Sequence, residues 1–200
     1  MSKFLKFIFV ILIILLTISV SLNVYLIFNN ISKLNENNSS ENKEIERKWL
    51  INKDNIPFDL SKADKFDIKQ TYISFSPEIR VRDINNGTQY ILTIKSDLSV
   101  DGLSRTENEY YITEEEYNNF LLKKEGNTIY KTRYQIEENG VIYAVDIFHE
   151  QLDGLAYLEV EFENESAAKQ FGNPDWVIKD VTDNINYKNG HLARFGIPKT

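Results

Sequence analysis

The sequence predicts a mainly β domain of the α+β type. Eight antiparallel strands close into a barrel or tunnel with a few peripheral helices, and one transmembrane helix precedes the domain. Short alternating runs rich in Tyr, Ile, Val, Phe and Thr are separated by Asn-Gly turns. Charges of one type recur at alternate positions of these runs, and a long apolar segment without charge lies near the start of the chain.

The amino-terminal segment divides into three parts. Residues 1–6 form a basic flank, residues 7–28 are apolar and uncharged, and residues 29–42 are rich in Asn and Ser. The apolar run is long enough to cross a hydrocarbon core of about 30 Å as a helix. The polar stretch is typical of a flexible linker. A cleaved signal peptide is the alternative, although no A-x-A cleavage site follows the run.

Flanking charges predict the orientation of this anchor. Lys3, Lys6 and the free amine precede the apolar run, whereas Glu36 and Glu41 soon offset Lys33 after it. The positive-inside rule therefore predicts a single-pass membrane protein with a cytoplasmic amino terminus and an extracytoplasmic domain. The absence of cysteine excludes a lipoprotein anchor. With 30 acidic and 23 basic residues, nucleic acid is an unfavourable partner; the oligomeric state is left open.

Residues 43–200 have the length of one domain, and alternation divides them into eight predicted strands. The predicted strands are Lys43–Ile51, Phe66–Ser74, Glu78–Asn85, Thr88–Ser96, Ser104–Ile112, Ile129–Glu137, Val141–His149 and Ala156–Glu163. Asn85-Asn86-Gly87 and Glu138-Asn139-Gly140 predict hairpin turns, because Asn and Gly tolerate positive φ. Short turns between successive strands favour an antiparallel meander.

Three short helices are predicted. The stretch Thr113–Glu116 is a capping box that begins the first, which ends at Gly126. The second covers residues 166–171. The third covers residues 182–194 and breaks near Gly190.

Charged side chains fall on one face of each predicted strand. They are Glu44, Glu46 and Lys48; Arg80 and Arg82; Lys95; Arg105, Glu107 and Glu109; Lys131 and Arg133; and Glu159, Glu161 and Glu163. A charged face toward water and an apolar face toward a core is the ordinary explanation. Two features favour a shared interior instead. Most strands repeat one type of charge, and Asp146 is isolated in an apolar run, where a buried carboxylate requires a partner. A closed barrel would gather these groups in one lumen.

Such a lumen suits phosphate chemistry. Paired arginines match phosphate oxygens, and clustered carboxylates bind Mg²⁺ or Mn²⁺. A divalent metal together with arginines and lysines meets the requirement of phosphoryl transfer, and a linear polyphosphate fits a long tunnel. The sequence contains no P-loop and no G-x-S-x-G motif. His149 and His191 are isolated and there is no cysteine, which disfavours a zinc site.

The motif Glu44-x-Glu46-x-Lys48 resembles the signature of the CYTH superfamily, the triphosphate tunnel metalloenzymes. Further segments resemble the family's motifs in the same order. They are Gln70–Ile73, Arg80-x-Arg82, Thr93-x-Lys95, Arg105–Glu109, Lys131-x-Arg133, Val145–Phe148, Leu158–Phe162, Pro174–Trp176, Asp180–Thr182 and Tyr187–Ala193. The resemblance spans residues 43–193 and implies an eight-stranded tunnel that holds a divalent metal and a triphosphate.

The resemblance also implies roles for the charged residues. The implied metal ligands are Glu44, Glu46, Glu159 and Glu161, with Asp146 close by and Glu107 and Glu109 on the same acidic side; the first four and Lys48 form the predicted catalytic set. The implied phosphate-binding residues are Lys48, Arg80, Arg82, Lys95, Arg105, Lys131 and Arg133. Family members add a basic residue from a carboxy-terminal plug helix. Lys188 is the first candidate and Arg194 the second, and the alternative for Lys188 is a solvated helix lysine.

The predicted function is metal-dependent hydrolysis of a triphosphate, foremost inorganic tripolyphosphate to pyrophosphate and phosphate, with Mg²⁺ or Mn²⁺ as cofactor. Other outcomes in the same tunnel are hydrolysis of nucleoside or thiamine triphosphate and adenylate cyclisation of the class IV type. A non-catalytic sensor of phosphorylated ligands is a further alternative, against which the intact carboxylates argue. The extracytoplasmic placement conflicts with the usually intracellular setting of the family, and the sequence leaves the side of the membrane open.

Overall fold

The computed structural model describes residues 43–95 and 104–199, which contain nine strands and three short α-helices. The strands are β1 (Lys43–Ile51), β2 (Asp64–Phe75), β3 (Glu78–Ile84), β4 (Gln89–Lys95), β5 (Ser104–Ile112), β6 (Glu125–Glu138), β7 (Val141–Phe148), β8 (Ala156–Glu161) and β9 (Val177–Asp180). The helices are α1 (Glu114–Leu121), α2 (Glu165–Gln170) and α3 (Asn189–Phe195). Single 3-10 turns cover Lys53–Asn55, Leu60–Lys62, Glu150–Leu152 and Ile185–Tyr187.

The predicted membrane anchor and linker, residues 7–42, lie outside the described residues. Within the described ranges, no helix is both long enough and apolar enough to cross a membrane.

The strands form a closed antiparallel barrel, which confirms the predicted fold. Their order is β5-β4-β3-β2-β6-β7-β8-β1, and β1 returns to pair with β5. The closing pairing is short, because it joins only residues 43–45 of β1 to residues 104–106 of β5. Farther along, the same edge of β1 pairs instead with β9. β1 therefore anchors both the barrel seam and the carboxy-terminal segment.

The local signals of the sequence explain most element boundaries. Asn85, Asn86 and Asn139 have φ angles of 52°, 52° and 54°, which confirms the two predicted Asn-Gly hairpin turns. The predicted capping box is also confirmed, since the Thr113 hydroxyl accepts from the Glu116 backbone and the Glu116 carboxylate accepts from the Thr113 backbone.

Two helix ends differ from the prediction. Helix α1 ends at Leu121, and Gly126 lies within β6 at a φ of +68°. A Cβ there would meet the carbonyl oxygen of Ala193 at 2.8 Å, so the glycine permits a close approach of α3 rather than capping α1. The third predicted helix is a 3-10 turn and α3 separated at Lys188, and Gly190 lies inside α3 instead of breaking it. Strand β9 was not predicted, because four residues are too short for an alternation signal.

Two apolar clusters lie on opposite faces of the barrel wall. The outer cluster contains Trp49, Val145 and Leu158 and is covered by Phe171 and Trp176 of the carboxy-terminal segment. The inner cluster consists of Tyr72, Ile129, Phe148 and Tyr157, against which Leu192 and Ala193 of α3 pack. Ile129, Phe148 and Tyr157 share a strand face with Lys131, Asp146 and Glu159, which lie two positions away on the same strands. We call this inner cluster, with its α3 residues, the plug; it bounds the charged lumen on one side.

A polar clamp fixes the carboxy-terminal segment to β1. Arg47, on the outward face, donates to Asn173 Oδ1 at 2.7 Å and forms an ion pair with Asp180. The Thr182 hydroxyl donates to Asp180 Oδ1 at 2.6 Å and accepts from the backbone N–H of Lys48 at 3.0 Å. The segment that carries α3 is thereby tied to the strand that carries the signature motif.

Replacing Gly126 by alanine should destabilise the plug. We expect Gly126→Ala to lower the free energy of unfolding by more than about 1 kcal/mol, because it combines positive φ with a steric conflict at Ala193. Gly140→Ala is the matched control, since Gly140 has a φ of +76° but no atom within 4 Å of the added Cβ. Urea unfolding measures both. Equal losses in the two variants would show that contact with α3 adds nothing.

Candidate active site

The inward face of the barrel carries the predicted charged residues, and strand register places most of them opposite a charge of the other sign. The opposed pairs are Glu44–Arg105, Lys48–Glu159, Glu78–Lys95, Lys95–Glu107 and Arg133–Asp146. Directly opposed side chains on one face of a sheet have Cβ atoms roughly 4.5–5.5 Å apart, so each pair is preformed by the backbone. The structure thus brings the predicted acids and bases into one lumen.

The wall formed by β1, β4 and β5 binds its carboxylates tightly. The Lys95 ammonium lies 2.7 Å from Glu44 and 2.6 Å from Glu107. Arg105 donates to Glu44 at 3.0 Å and to Glu78 at 3.1 Å. Glu44 is therefore already neutralised by two cations in the absence of ligand.

The two arginines of β3 differ in how well their charge is compensated. Arg80 contacts Glu107 at 3.2 Å and Glu78 at 3.9 Å. Arg82 pairs with Glu109, which also accepts from the Thr93 hydroxyl at 3.1 Å. Burial, and then the neighbouring charge of Arg80, lower the pKa of Arg82 to about 10. Burial disfavours the charged form of Arg82, and the ion pair with Glu109 offsets this only in part.

A second group of ion pairs surrounds Asp146, which is fully buried. Arg133 donates to both of its oxygens at 2.7 Å, and Lys131 donates at 2.6 Å. Burial raises the pKa of Asp146, but Arg133 and Lys131 outweigh it and the pKa is lowered. Burial and the charge of Arg133 lower the pKa of Lys131 to about 8. Because both Asp146 oxygens accept from cations, the geometry favours a role in holding these two bases over the implied metal contact.

Glu159 lies between these groups. It is buried, its carboxylate is 2.8 Å from the Lys48 ammonium, and it also accepts from Arg133. Burial raises its pKa, but Lys48 and Arg133 outweigh burial and hold the pKa well below its ordinary value. Glu159 is therefore ionised and doubly paired.

Glu46 and Glu161 are the exception to this pairing. They lie directly opposite each other on β1 and β8, the only like-charged residues in direct register among the described strand pairs. Glu161 is the exposed last residue of β8, and partial burial of its carboxyl, followed by the charges of Glu44 and Glu46, raises its pKa. In residues 43–95 and 104–199, no basic side chain lies within ion-pair distance of Glu161. Glu46 has only the longer contacts of 3.5 Å to Lys48 and 3.8 Å to Lys188.

The carboxylates of Glu44, Glu46 and Glu161 are ligands of the type that a hard divalent cation binds, although Glu44 is paired with Lys95 and Arg105. Among the described residues, no three acidic or histidine side chains stand in positions that would hold a metal ion without rearrangement. Partial burial, followed by the negative charges of Glu44 and Glu46, nevertheless raises the pKa of Glu161. Carboxylate oxygens in mutual repulsion are the donor set that Mg²⁺ and Mn²⁺ bind. A cation at this place would relieve the repulsion.

The structure distinguishes the two candidates for the basic residue of the plug helix. Lys188 is buried and directed toward Glu46 at 3.8 Å, which rules out the solvated alternative. Burial and the charge of Lys48 lower its pKa to about 8. Arg194 is exposed and stacks on the ring of Phe75, with 4.8 Å from its guanidinium carbon to the ring centroid. Only Lys188 reaches the charged lumen.

A cavity of about 380 Å³ opens beside Glu161. Arg133, Glu159 and Glu161 line its inner side, and Gln135, Ile142 and Ala144 line it toward the β6–β7 turn. We call it the mouth cavity. Its outer half is apolar, unlike the rest of the lumen.

Sequence reasoning missed three lumen residues and misplaced one. Glu78 joins Arg80 and Arg105, and Thr93 is buried against Glu109. Tyr157 is fully buried two residues before Glu159. Each of the three lies two positions before a predicted charged residue of its strand, so side-chain alternation places it on the same face. Glu163 was placed on the charged face, but β8 ends at Glu161 and Glu163 is an exposed residue at the mouth cavity.

A comparison of the sequence with protein families agrees with this architecture. The CYTH domain model matches residues 42–180. The chain belongs to the CYTH domain family.

Similar proteins are inorganic triphosphatases. The chain is 35% identical over 154 residues to an inorganic triphosphatase of Nitrosomonas europaea. The aligned region covers 75% of this chain and 96% of that protein. The chain is 34% identical over 155 residues to an inorganic triphosphatase of Acetivibrio thermocellus, with 76% and 94% covered. The crystal structure of an inorganic triphosphatase superposes with a TM-score of 0.55 at 32% identity, over 75% of this chain and 93% of that one.

Removing the unpaired carboxylate should stabilise the metal-free CYTH domain. With EDTA at neutral pH, we expect Glu161→Gln to raise the unfolding midpoint, because it removes repulsion from Glu46. Glu159→Gln is the matched change on the same strand. This substitution should lower the free energy of unfolding by about 3 kcal/mol or more, because it removes the buried carboxylate that pairs with Lys48 and Arg133. Midpoint shifts of the same sign in both variants would contradict this charge map.

The gain from Glu161→Gln should depend on pH. The pKa of Glu161 in the folded state lies above its ordinary value, so the folded domain binds this proton more readily than the unfolded chain does. Ionised Glu161 therefore costs stability at neutral pH, and the cost disappears as the pH falls through its pKa. Urea unfolding of both proteins from neutral to mildly acidic pH measures the difference. A constant difference across that range would refute the assigned cause.

Proposed function

We propose that this chain hydrolyses inorganic tripolyphosphate to pyrophosphate and phosphate inside the barrel. The observation that carries the proposal is the charge layout of the lumen, where eight basic side chains lie in the same lumen as Glu46 and Glu161, two carboxylates in direct register with each other. A polyanion and a divalent cation together supply what each side lacks. The two inorganic triphosphatases at 34–35% identity support the assignment.

The basic residues would hold the phosphates. They are Lys48, Arg80, Arg82, Lys95, Arg105, Lys131, Arg133 and Lys188, all of which face the lumen. Arg82 and Lys188 have lowered pKa values because each is buried and lies beside another cation. A phosphate group placed next to them would reverse that effect and strengthen binding. Arginine forks also match the geometry of phosphate oxygens.

The acidic residues divide into two groups in this proposal. Glu46 and Glu161, with Glu44, would hold a divalent cation, Mg²⁺ or Mn²⁺, which when bound neutralises charge on the phosphate oxygens. Glu159, Glu107 and Glu109 keep the bases in place through their ion pairs.

In the reaction, a water molecule attacks the terminal phosphorus in line as the bridging P–O bond breaks, and pyrophosphate leaves. The basic residues stabilise the charge that develops on pyrophosphate, and the proton of the attacking water passes to a lumen carboxylate.

The mouth cavity favours a second candidate substrate class. Ile142 and Ala144 offer an apolar surface next to Glu161 and Arg133, and Gln135 adds a polar group. An organic group attached to a triphosphate, as in a nucleoside or thiamine triphosphate, would fit there while its phosphates enter the lumen. Inorganic tripolyphosphate leaves this surface unused. Product analysis separates hydrolysis of these compounds from cyclisation.

The proposal places the enzyme on a membrane. Residues 7–28 would form the anchor. The amino terminus would lie in the cytoplasm and the CYTH domain on the extracytoplasmic side of the membrane. The support is the apolar length of this segment and the lysines before it. The positive-inside rule thus puts the substrate on the extracytoplasmic side.

Phosphate release tests the activity directly. We expect the full-length chain, purified in mild detergent, to release phosphate from tripolyphosphate with Mg²⁺ or Mn²⁺ and to stop when EDTA is added. ATP and thiamine triphosphate are assayed in parallel. Glu161→Gln should need more metal for half-maximal rate than the wild type does. Release that persists in EDTA would reject the metal-dependent reaction, and no release from any of the three would favour a ligand sensor.

Reporter fusions test the orientation. Alkaline phosphatase, which is active only outside the cytoplasm, should be active when fused after Thr200. Green fluorescent protein at the same position should be dark if it is exported unfolded. Bright fluorescence with inactive phosphatase would place the CYTH domain in the cytoplasm instead.

A further inference from the structure

The hydroxyl of Tyr157 is a buried donor without a partner. Tyr157 is fully buried, and its hydroxyl forms no hydrogen bond to any described residue. A buried polar group left unsatisfied costs about 1–3 kcal/mol, so such groups normally bind water or a ligand. The position of this hydroxyl indicates which of the two it binds.

Tyr157 lies where the plug meets the charged lumen. Its ring packs edge-on against Phe148, with 5.1 Å between ring centroids, and lies 6.5 Å from the ring of Tyr187. The Lys48 ammonium is 5.5 Å from the centre of the ring. Tyr157 also lies opposite Asp146 across β7 and β8. One side of this residue is therefore apolar, and the other side faces ionised groups.

A second buried tyrosine of the plug gives the contrast. Tyr72 is also fully buried, but its hydroxyl accepts from Gln70 at 3.1 Å and interacts with Arg80. The same layer of the barrel thus contains one tyrosine whose hydroxyl is satisfied by the protein and one whose hydroxyl is not. Packing alone does not account for the hydroxyl of Tyr157, because a phenylalanine would fill the same space.

The surroundings of Tyr157 are rich in donors. Lys48 and Lys188 both approach the same carboxylate, Glu46, at 3.5 and 3.8 Å. Both contacts are longer than most ion pairs of the lumen, and burial together with the charge of Lys48 lowers the pKa of Lys188. Lys48 is also paired with Glu159 at 2.8 Å, so an acceptor with several oxygens would add to the contacts of the ammonium groups while satisfying the free phenol. Phosphate is such an acceptor, whereas one water molecule has only two lone pairs.

We infer that the hydroxyl of Tyr157 donates a hydrogen bond to a phosphate oxygen of the substrate where the lumen meets the plug. This inference rests on the proposed function and adds an uncharged residue to the set that touches the substrate. The phenol is directional, because one O–H bond points in one direction, whereas an ammonium group attracts anions from many. It would therefore fix the orientation of a phosphate group that Lys48 and Lys188 attract.

The test compares Tyr157→Phe with two other Tyr→Phe variants in the full-length chain. Tyr143→Phe is the activity control, because Tyr143 packs in the outer cluster. Tyr72→Phe is the stability control, because its hydroxyl has partners within the protein. Unfolding in EDTA without ligand is measured first. We expect Tyr157→Phe to be as stable as wild type or more stable, and Tyr72→Phe to be less stable. A loss of stability in Tyr157→Phe without ligand would make the hydroxyl structural and overturn the inference.

Ligand binding and turnover are then measured. We expect Tyr157→Phe to lower kcat/KM for tripolyphosphate by about 10- to 100-fold, as for a hydrogen bond to a charged group. It should also reduce the thermal stabilisation that tripolyphosphate gives the protein in EDTA, where no metal contributes. Wild-type values of both quantities in Tyr157→Phe would mean that the hydroxyl binds only water, and would overturn the inference while leaving the triphosphatase assignment intact. A wild-type protein that neither binds nor cleaves tripolyphosphate would overturn both.

Discussion

Burying ionised side chains in a closed barrel requires that each charge meet an opposite one, and this requirement shapes the whole structure. Strand register meets it pair by pair, as where Glu44 lies opposite Arg105 and Lys48 opposite Glu159. A slip of one residue would turn every charge outward and every apolar side chain inward, so the charges fix the register as firmly as the core does. Glu46 and Glu161 lie opposite each other instead, at the end of β8 where Glu161 is exposed to solvent and Glu46 has only longer contacts to two lysines.

This arrangement couples the binding of metal and phosphate. A phosphate that enters alone takes cations away from carboxylates such as Glu107 and leaves these buried without partners. A cation that enters alone adds positive charge to a lumen in which Arg82 already lies near Arg80 and Lys188 near Lys48. When the two enter together, the displaced carboxylates and bases each gain a new partner. The self-neutralised lumen therefore favours a metal–polyphosphate complex over either component.

Alternation in the sequence predicted the eight strands and the shared face of the charged residues, Asn-Gly turns predicted the hairpins at Asn86 and Asn139, and the resemblance to the CYTH superfamily implied the closed tunnel. These patterns could not predict which carboxylate lacks a partner, because the Glu46–Glu161 contact arises from the register of strands far apart in the chain. The role of Gly126 was also hidden, since it depends on the approach of α3 to β6. Tyr157 resembled any core aromatic, and its unsatisfied hydroxyl is visible only in three dimensions.

The clamp on β1 connects these features to the plug. The Thr182 hydroxyl binds the backbone of Lys48, and six residues later the same segment delivers Lys188 to the lumen. Arg47, between Glu46 and Lys48, holds that segment from the outward face through Asp180. Adjacent residues of one strand thus position the signature charges on one face and, on the other, the segment that bounds the lumen. The backbones of Lys48 and the segment that leads to Lys188 are therefore held together by the hydrogen bonds of Lys48 to residues 181 and 182, which favours a defined orientation of a phosphate group between the two lysines.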